Sequence, residues 1–367
     1  MKTTQRTTQR LHDLGQRLWL DNITRGLLTS GTLARYIEEF SVTGLTSNPT
    51  IFDKAIKDAG FYDAAIRRKT AEGKSGEALF FELALEDLTQ AADLFRPVHE
   101  ASGGLDGWVS LELSPLLAHD TAGSVKAAAQ LHRLAKRPNL FIKIPGTPQG
   151  VPAIEEAIFA GVPINVTLLF SREQYLAAAE AYLRGIERRI AAGLEPKVRS
   201  VASIFVSRWD VAVKDRAPQG LRNRLGIAIA GRAYKAYREL LASPRWRKLA
   251  AAGAWEQRLL WASTGTKDPQ AHDTMYIEAL AAPDTINTIP DKTLLAFADH
   301  GELKGEMPLD GGDAEEVLAQ FARLGIDDAA LAEELQREGA EAFDKSWQDL
   351  LELIASKSAA LEKMARP

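Results

Sequence analysis

The sequence predicts an α/β fold, a (β/α)8 TIM barrel with additional C-terminal helices. Short apolar or β-branched runs alternate with amphipathic helical stretches along most of the 367 residues, a pattern typical of parallel strands joined by right-handed crossovers. Eight such runs occur, which is the number that closes a barrel. After Pro290 the strand pattern stops, and a helical pattern follows.

Each predicted strand is a short apolar run bounded by turn residues. The eight runs are Leu18–Leu20, Val42–Leu45, Trp108–Leu113, Leu140–Ile144, Ile164–Phe170, Val201–Val206, Leu259–Ala262 and Thr285–Ile289. Between them, apolar residues recur at helical spacing. The clearest helical segments are Gly76–Leu94, Ala122–Ala135, Ser171–Ala192 and Leu225–Leu241. The third of these starts with the pattern of a capping box, from Ser171 to Gln174.

The main alternative is a doubly wound open sheet, which also alternates strands and helices. Against it, no G-x-G-x-x-G motif follows the first strand, and no G-x-x-x-x-G-K-[ST] motif occurs. We therefore expect a single barrel domain over residues 1–367, with a helical extension over about 311–367 that splits near Gly325–Asp327. Gly311 and Gly312 fit a hinge or loop better than a domain linker, because the helices beside them carry apolar stripes that need burial.

The composition is that of a globular protein, 46% hydrophobic and 26% charged. The net charge of -4 leaves no basic field for nucleic acid or anionic lipid, so neither partner is expected. The absence of cysteine excludes a disulfide framework, a thiolate nucleophile and a cysteine-ligated metal. The first residues, MKTTQRTTQRLHDLG, are polar, and no apolar run reaches the ~18 residues of a membrane span. A cytoplasmic location is therefore expected.

Lys143 is the first candidate for chemistry. It lies in the segment NLFIKIPGT, inside an apolar run and at the C-terminal end of the fourth predicted strand. Active sites of α/β barrels lie at this end of the strands. A buried lysine is costly in its charged form, and a lysine that is partly neutral can attack a carbonyl carbon. The alternatives are that the side chain extends outward to solvent or pairs with a carboxylate.

Polar residues at the other strand ends complete a set around this lysine. They are Asp21, Asn48, Glu112, Asn165, Thr167, Ser203, Arg208, Ser263 and Lys267. Glu112 lies in an apolar strand, so it needs a cationic or hydrogen-bonding partner, and Lys143 on the next strand is a natural one. Asn165 and Thr167 are two residues apart and therefore point to the same side of their strand.

Several of these residues also have a purely structural explanation. Asn48, followed by Pro49, fits an N-cap with proline at the first helical position. Asp21 fits a turn residue at a strand end, and Asn165 with Thr167 fits a satisfied polar network inside the core. The six histidines are scattered, with no H-x-H or H-x-x-x-H pair, so we predict no metal site. No G-x-S-x-G motif of a serine nucleophile occurs.

Six segments together resemble the signature segments of transaldolases, in the same order and at similar spacing. They are GLTSNPTIF, LFIKIPGT, INVTLLFS, SIFVSR, WASTGTKDP and PDTINTIPDKTLLAF, and the resemblance extends roughly from Asp21 to Phe297. The resemblance implies a (β/α)8 barrel of the class I aldolase type that uses no metal or organic cofactor. The chain is similar to a divergent subgroup that includes transaldolases fused to a sugar-phosphate isomerase, although no isomerase domain fits in this length.

The resemblance also implies a transferase of the pentose phosphate pathway, with sugar phosphates as its substrates and a monomer or homodimer as its assembly. It would move a dihydroxyacetone unit reversibly from sedoheptulose 7-phosphate to glyceraldehyde 3-phosphate, giving erythrose 4-phosphate and fructose 6-phosphate. By the same resemblance, Lys143 forms the Schiff base with the C2 carbonyl, and Asp21 takes the proton from the C4 hydroxyl. Glu112 would shuttle protons through a water held by Thr167.

The remaining residues of the set would bind the sugar phosphate. By resemblance, Asn48 and Asn165 hydrogen-bond hydroxyls of the three-carbon unit. The implied phosphate anchors are Ser203, Arg208, Ser263 and Lys267. The family typically places an arginine two residues after Ser263, where this chain has Gly265, so the phosphate side departs from the family pattern.

Two other functions remain open at this point. A fructose 6-phosphate aldolase, which releases free dihydroxyacetone, resembles this family but is shorter and lacks the long helical tail. A barrel that only binds sugar phosphates is the second, although the joint presence of Asp21, Glu112 and Lys143 argues against it. A nucleic-acid role is disfavoured by the charge and by the absence of a basic and aromatic cluster.

Overall fold

The computed structural model of the protein describes residues 6–58 and 60–365. Its centre is a closed barrel of eight parallel strands, each paired with its neighbours in the chain. The strands are β1 (Arg17–Leu20), β2 (Val42–Leu45), β3 (Trp108–Glu112), β4 (Leu140–Pro145), β5 (Ile164–Leu169), β6 (Ser200–Phe205), β7 (Gln257–Ala262) and β8 (Thr285–Ile289). Each agrees with its predicted run to within two residues at either end. The predicted fold class is confirmed.

Helices connect the strands and surround the barrel. In the described residues they are α1 (Thr7–Leu14), α2 (Arg25–Thr29), α3 (Thr32–Phe40), α4 (Pro49–Asp58), α5 (Asp63–Ala71), α6 (Gly76–Ala101), α7 (Thr121–Ala135), α8 (Gly150–Phe159), α9 (Arg172–Ala191), α10 (Ser207–Val213), α11 (Leu225–Ala242), α12 (Pro244–Ala251), α13 (Met275–Ala279), α14 (Asp291–His300), α15 (Ala314–Arg323) and α16 (Asp328–Ala365). The four segments predicted above are α6, α7, α9 and α11. The capping box of α9 forms only in part: Ser171 Oγ accepts from Gln174 N, whereas the Gln174 side chain accepts from Phe170 N.

Alternation along the strands divides the barrel interior into two zones. Three aromatic rings, from β1 and from the starts of β3 and β4, pack together in the interior. Those of Trp108 and Phe141 stack with centroids 4.1 Å apart, beside Trp19. Two charged residues lie further along the same inward faces. Glu112 follows Trp108 by four residues in β3, and Lys143 follows Phe141 by two residues in β4. The interior is therefore aromatic at one end and polar at the other.

Buried charges close the N-terminal end of the barrel. Asp106, in the loop before β3, accepts from Arg17 Nε at 2.8 Å and from Arg258 Nη1 at 3.0 Å. The side chains of Asp106 and Arg258 are each 5% exposed. Arg199, which precedes β6, lies beside them with its guanidinium over the Trp255 ring. These contacts tie β1 and β7 to the loop before β3.

The C-terminal helices pack against the barrel and its surrounding helices. The break between α15 and α16 includes Gly325, whose φ of 75° is left-handed, at the place where the sequence predicts a split. α16 lies against α4, α5 and α6. Trp347 of α16 packs edge-on against Phe80 of α6, with ring centroids 4.9 Å apart. The apolar stripe of this helix is thus buried, as its sequence requires.

The ends of the chain limit what the structure describes. Residues 1–5, 59, 366 and 367 lie outside the described residues. Both bounds of the predicted domain over 1–367, and the start of the polar N-terminal segment, fall among them. Within the described ranges, no helix combines the length and apolarity needed to cross a membrane.

Replacement of Asp106 by alanine should destabilise the protein strongly. The change leaves Arg17 and Arg258 buried without their carboxylate, and removing one partner of a buried pair costs about 3–5 kcal/mol. Asp93→Ala is the matched control, because Asp93 also binds two arginines but its side chain is 46% exposed, and exposed pairs contribute about 0–1 kcal/mol. Urea denaturation followed by circular dichroism measures both losses, and equal losses would contradict the prediction.

Candidate active site

A cavity of about 330 Å³ opens at the C-terminal ends of the strands. Eight of the ten residues that the sequence predicts for the site line it. They are Asp21, Asn48, Lys143, Thr167, Ser203, Arg208, Ser263 and Lys267. The other two, Glu112 and Asn165, lie directly behind the wall and contact Lys143 and Ser203. The barrel topology thus brings the whole predicted set to one place.

Lys143 and Glu112 form a buried ion pair on adjacent strands. The two residues are Cα partners in the β3–β4 register, and Lys143 Nζ lies 3.1 Å from Glu112 Oε2. Nζ also donates to Ser47 O at 3.0 Å. The side chains are only 7% and 4% exposed. Lys143 therefore pairs with the carboxylate expected from the sequence and at the same time faces the cavity.

Two buried oxygen atoms beside this pair have no hydrogen-bond partner among the described residues. They are Glu112 Oε1 and Thr167 Oγ1. Buried polar atoms normally have partners in the protein or in bound water and ligands, so these two mark a place where a small polar group fits. Burial raises the pKa of Glu112, although the charge and hydrogen bond of Lys143 act in the opposite direction. The carboxyl group therefore binds a proton more tightly than an exposed glutamate does.

Asp21 presents a second carboxyl group to the cavity, at the end of β1. Its backbone N donates to Ile289 O, which continues the pairing of β1 with β8. Its Oδ1 accepts from Thr46 Oγ1 at 2.7 Å. Burial raises the pKa of Asp21, while the Thr46 hydrogen bond and the charges of Lys143 and Lys267 lower it. The two carboxyl groups of the site therefore have different environments, which suits separate acid and base roles.

The two asparagines of the predicted site lie at different depths relative to the cavity. Asn48 Oδ1 accepts from Ile51 N at 3.0 Å, so Asn48 caps α4 as its sequence context suggests, and it also lines the cavity. Asn165 lies deeper: Nδ2 donates to Ser110 Oγ at 3.1 Å, and Oδ1 accepts from Ser203 Oγ at 2.7 Å. The core network that the sequence left as an alternative is therefore present at Asn165. Ser203 joins that network to the cavity.

Cations without carboxylate partners surround the mouth of the cavity. Arg208, at the start of α10, lies over the Phe205 ring, and burial lowers the pKa of its guanidinium. Within the described residues, Arg208, Lys267 and Lys54 of α4 form no ion pair. Ser263, with a left-handed φ of 55°, places its Oγ 2.9 Å from Ser207 Oγ. Unpaired cations and hydroxyls at one mouth are suited to an anionic ligand.

The structure adds lining residues that the sequence analysis missed. Thr46 and Thr288, 2.7 Å apart through their Oγ1 atoms, lie at the ends of β2 and β8, so the rule that identified Asp21 could have found them. Lys54 could have been found as a cation one turn into α4. Phe343 had no such signal, because it comes from α16, far along the chain from any strand.

His272, Asp273 and His300 come together on the surface, outside the cavity. Their candidate ligand atoms lie within 4.8 Å of one another, and Asp273 Oδ1 lies 3.0 Å from His300 Nε2. All three side chains are exposed, and the hydrogen bond with Asp273 raises the pKa of His300. Attraction between an imidazolium and a carboxylate accounts for this group. The absence of a metal site stays a prediction.

Asp210 is a buried carboxyl group two residues after Arg208. It accepts from Leu225 N at 2.9 Å, from Gly226 N at 3.2 Å and from the Tyr276 hydroxyl at 2.7 Å. It therefore caps the start of α11 and links α10 to α13. Burial raises the pKa of Asp210 to about 6, because these hydrogen bonds offset only part of the desolvation.

Comparison with known proteins identifies relatives of the chain. A family profile described as Transaldolase/Fructose-6-phosphate aldolase matches residues 18–354. A protein named transaldolase from Saccharopolyspora erythraea is 44% identical over 359 residues, which are 96% of this chain and 98% of the relative. A transaldolase from Thermobifida fusca is 45% identical over 361 residues, 96% and 98% of the two chains. A transaldolase from Thiobacillus denitrificans is 44% identical over 355 residues, 95% and 99% of the two chains.

The raised pKa of Asp210 predicts a loss of stability as the pH rises. The folded protein binds this proton more tightly than the unfolded chain does, so the stabilisation is complete below the unfolded pKa, 3.8, and is lost as the pH rises through about 6. Asp210→Asn removes the titration. Between about pH 4 and pH 7, the free energy of unfolding of the wild type should fall relative to that of the variant by up to about 3 kcal/mol. A constant difference over this range would contradict the prediction.

Proposed function

We propose a reaction for this cavity on the premise that the chain belongs to the transaldolase/fructose-6-phosphate aldolase family. The chain is a transferase with transaldolase activity. It moves a dihydroxyacetone unit from sedoheptulose 7-phosphate to glyceraldehyde 3-phosphate through a lysine Schiff base. The observation that carries the assignment of the nucleophile is Lys143, which is buried in a barrel strand, faces the cavity and lies 3.1 Å from a carboxylate.

Lys143 acts as the nucleophile that forms the Schiff base. Its amine attacks the C2 carbonyl of the donor ketose, and loss of water leaves an iminium ion. The ammonium must first give up a proton, and Glu112, 3.1 Å away with a raised pKa, is suited to accept it. The iminium ion then takes up the electron pair of the C3–C4 bond as that bond breaks. The product is an aldose and a three-carbon enamine on the lysine.

The two carboxyl groups divide the remaining proton transfers. Glu112 Oε1 and Thr167 Oγ1, both without a protein partner, would bind the water that leaves and returns during carbinolamine chemistry. Asp21 would take the proton of the C4 hydroxyl as C3–C4 breaks, and return it to the new hydroxyl when the acceptor aldehyde adds. Its raised pKa brings its proton affinity closer to that needed for both steps near neutral pH.

The polar and cationic wall would hold the rest of the sugar phosphate. Asn48 fits a hydrogen bond to a hydroxyl of the three-carbon unit, and Asn165 would act from below through its network with Ser203. Arg208 and Lys267, which form no direct ion pair in the described residues, supply positive charge for the phosphate. Ser203 and Ser263 supply hydroxyl groups beside them.

Several coarser features complete the proposal. The substrates are sugar phosphates, and the site needs no metal or organic cofactor, because the lysine itself stabilises the carbanion. We also propose a single domain over residues 1–367, a cytoplasmic location and a monomer or homodimer. Release of free dihydroxyacetone, the aldolase reaction, is the nearest alternative, and the full-length similarity to proteins named transaldolase favours transfer.

Borohydride should trap the donor on Lys143 when fructose 6-phosphate is present. Peptide mass spectrometry should find a reduced adduct on the peptide that contains Lys143, because borohydride reduces the iminium ion to a stable amine. Lys143→Met should abolish both the adduct and the turnover. Lys126→Met is the control, because Lys126 is an exposed lysine of α7. This variant should leave the adduct and the turnover unchanged. Turnover by the Lys143→Met protein at the wild-type rate would disprove the assignment.

Asp21→Asn should allow the Schiff base but block bond cleavage, because an amide cannot take the C4 proton. Borohydride should then trap the uncleaved six-carbon donor, and kcat should fall by about 10²–10⁴-fold. Asp291→Asn controls for lost negative charge, because Asp291 lies close enough to influence the pKa of Asp21. Its turnover should stay within a few-fold of the wild type. A three-carbon adduct at the normal rate in Asp21→Asn would contradict the role of Asp21.

A further inference from the structure

The C-terminal helix α16 passes across the mouth of the cavity. Near its start, Gln336 reaches the ends of β4 and β5. About two turns further, Phe343 lines the cavity, and Ser346 Oγ then lies 2.8 Å from Thr50 Oγ1 in α4. The following turns pack against α5 and α6. The part of α16 that faces the site is therefore the stretch Gln336–Ser346.

Gln336 connects α16 to the two strands that carry Lys143 and Thr167. Its Nε2 donates to Gly146 O at 3.0 Å and to Leu168 O at 2.9 Å, and the residue is 8% exposed. Leu168 has a left-handed φ of 57°, which costs a residue other than glycine about 1–2 kcal/mol. It also lies where the β5–β6 register shifts. The Gln336 amide thus satisfies a carbonyl group that this irregular backbone leaves out of the sheet.

Phe343 brings an aromatic ring to a cavity whose catalytic groups are polar. It is 6% exposed and belongs to the same core cluster as Phe205 and Leu168. The helix packs closely on the barrel about one turn before Phe343, where a Cβ atom on Gly339 would lie 2.9 Å from Leu168 Cδ2 and that side chain would have to shift. The ring is therefore held over the polar strand ends by close packing and by the Gln336 hydrogen bonds.

The three-carbon enamine on Lys143 has two fates, and water decides between them. In transfer, C3 of the enamine attacks the aldehyde carbon of the acceptor, and the new alkoxide takes the proton from Asp21. In release, C3 instead takes a proton from a water molecule, and Asp21 returns its proton to the hydroxide left behind. Water then adds to C2 of the resulting iminium ion, and the lysine leaves as the amine with free dihydroxyacetone as the product. Both fates need one water to hydrolyse the final iminium ion, but only release needs a water as the proton donor at C3, so an apolar group that excludes water at the mouth favours transfer.

We propose that Phe343 is a specificity-determining residue that keeps water from the enamine, and that Gln336 is the positioning residue that fixes α16 at the strand ends for this purpose. The inference rests on the proposed function, because it assumes the Schiff base on Lys143. In this proposal, α16 determines how often the enamine is transferred to an acceptor aldehyde and how often it is released as dihydroxyacetone.

The test compares release with transfer in the full-length enzyme. Release is the rate of dihydroxyacetone formation from fructose 6-phosphate alone, and transfer is the rate with erythrose 4-phosphate as the acceptor. Phe343→Ala should raise the ratio of release to transfer by about tenfold, which corresponds to a relative change of about 1.4 kcal/mol in the two barriers. Phe343→Leu keeps an apolar side chain at the mouth and should restore most of the wild-type ratio.

Leu350→Ala is the matched control for lost helix packing. Leu350 is fully buried in α16 but belongs to the outer core and not to the cavity wall. This variant should lower the free energy of unfolding and leave the ratio unchanged. An unchanged ratio in Phe343→Ala, or an equal change in Leu350→Ala, would overturn the proposal. Borohydride trapping distinguishes failure of the proposed function from failure of the role of Phe343. If the wild type gives no adduct, the proposed function is refuted. If the adduct is normal but Phe343→Ala leaves the ratio of release to transfer unchanged, only the role of Phe343 is refuted.

Gln336→Leu tests the positioning residue, with Gln348→Leu as its control on the exposed face of the same helix. Gln336→Leu should raise the ratio in the same direction and lower kcat with little change in KM, because the phosphate anchors remain while the strand ends lose their tie. A purely structural role would lower the free energy of unfolding without moving the ratio, and that result would remove Gln336 from the proposal.

Discussion

The buried pair of Lys143 and Glu112 is the interaction on which the rest of the site depends. An isolated ammonium ion inside the barrel would cost several kcal/mol, on the order of the stability of a whole domain, so the lysine can face inward only with a carboxylate beside it. The parallel register supplies that carboxylate directly, because Glu112 and Lys143 are Cα partners on adjacent strands. In the part of the chain that the structure describes, Glu112 Oε1 has no hydrogen-bond partner. The polar end of the barrel is therefore stable enough to fold while one carboxyl oxygen stays available to a ligand.

The two ends of the barrel use buried ion pairs for different purposes, and the aromatic zone separates them. At the N-terminal end Asp106 binds two arginines, whose planar guanidinium groups pair with a carboxylate in a fixed geometry. At the C-terminal end the cation is a lysine, which can lose its proton to become a nucleophile. The carboxylate partner is a structural tie in the first case and, in the proposed reaction, a proton acceptor in the second. The choice of arginine or lysine thus separates the structural end of the barrel from its reactive end.

Local sequence patterns were sufficient for most of the fold and much of the site. Strands alternate strictly in side-chain direction and end at one rim, so polar residues predicted at seven strand ends had to meet, and eight of the ten predicted residues line the cavity. The depth of each residue could not be predicted in this way. Asn165 lies below the cavity because Ser110 and Ser203 take up both ends of its amide. The meeting of His272 with His300 was also missed, because separate elements bring them together.

The contribution of α16 to the cavity could not be predicted from the sequence, because the groups that it contacts come together only when the barrel closes. The polar strand ends include an irregular stretch of β5 at Leu168, whose carbonyl group takes its donor from outside the sheet, and a mouth that opens to solvent. One helix addresses both: Gln336 donates to the carbonyl group, and Phe343 covers part of the mouth. In the sequence these are an ordinary glutamine and an ordinary apolar position of an amphipathic helix. Between them lies Gly339, where α16 packs closely against the Leu168 side chain. The helical tail is therefore best understood as the last wall of the site, built from outside the barrel repeat.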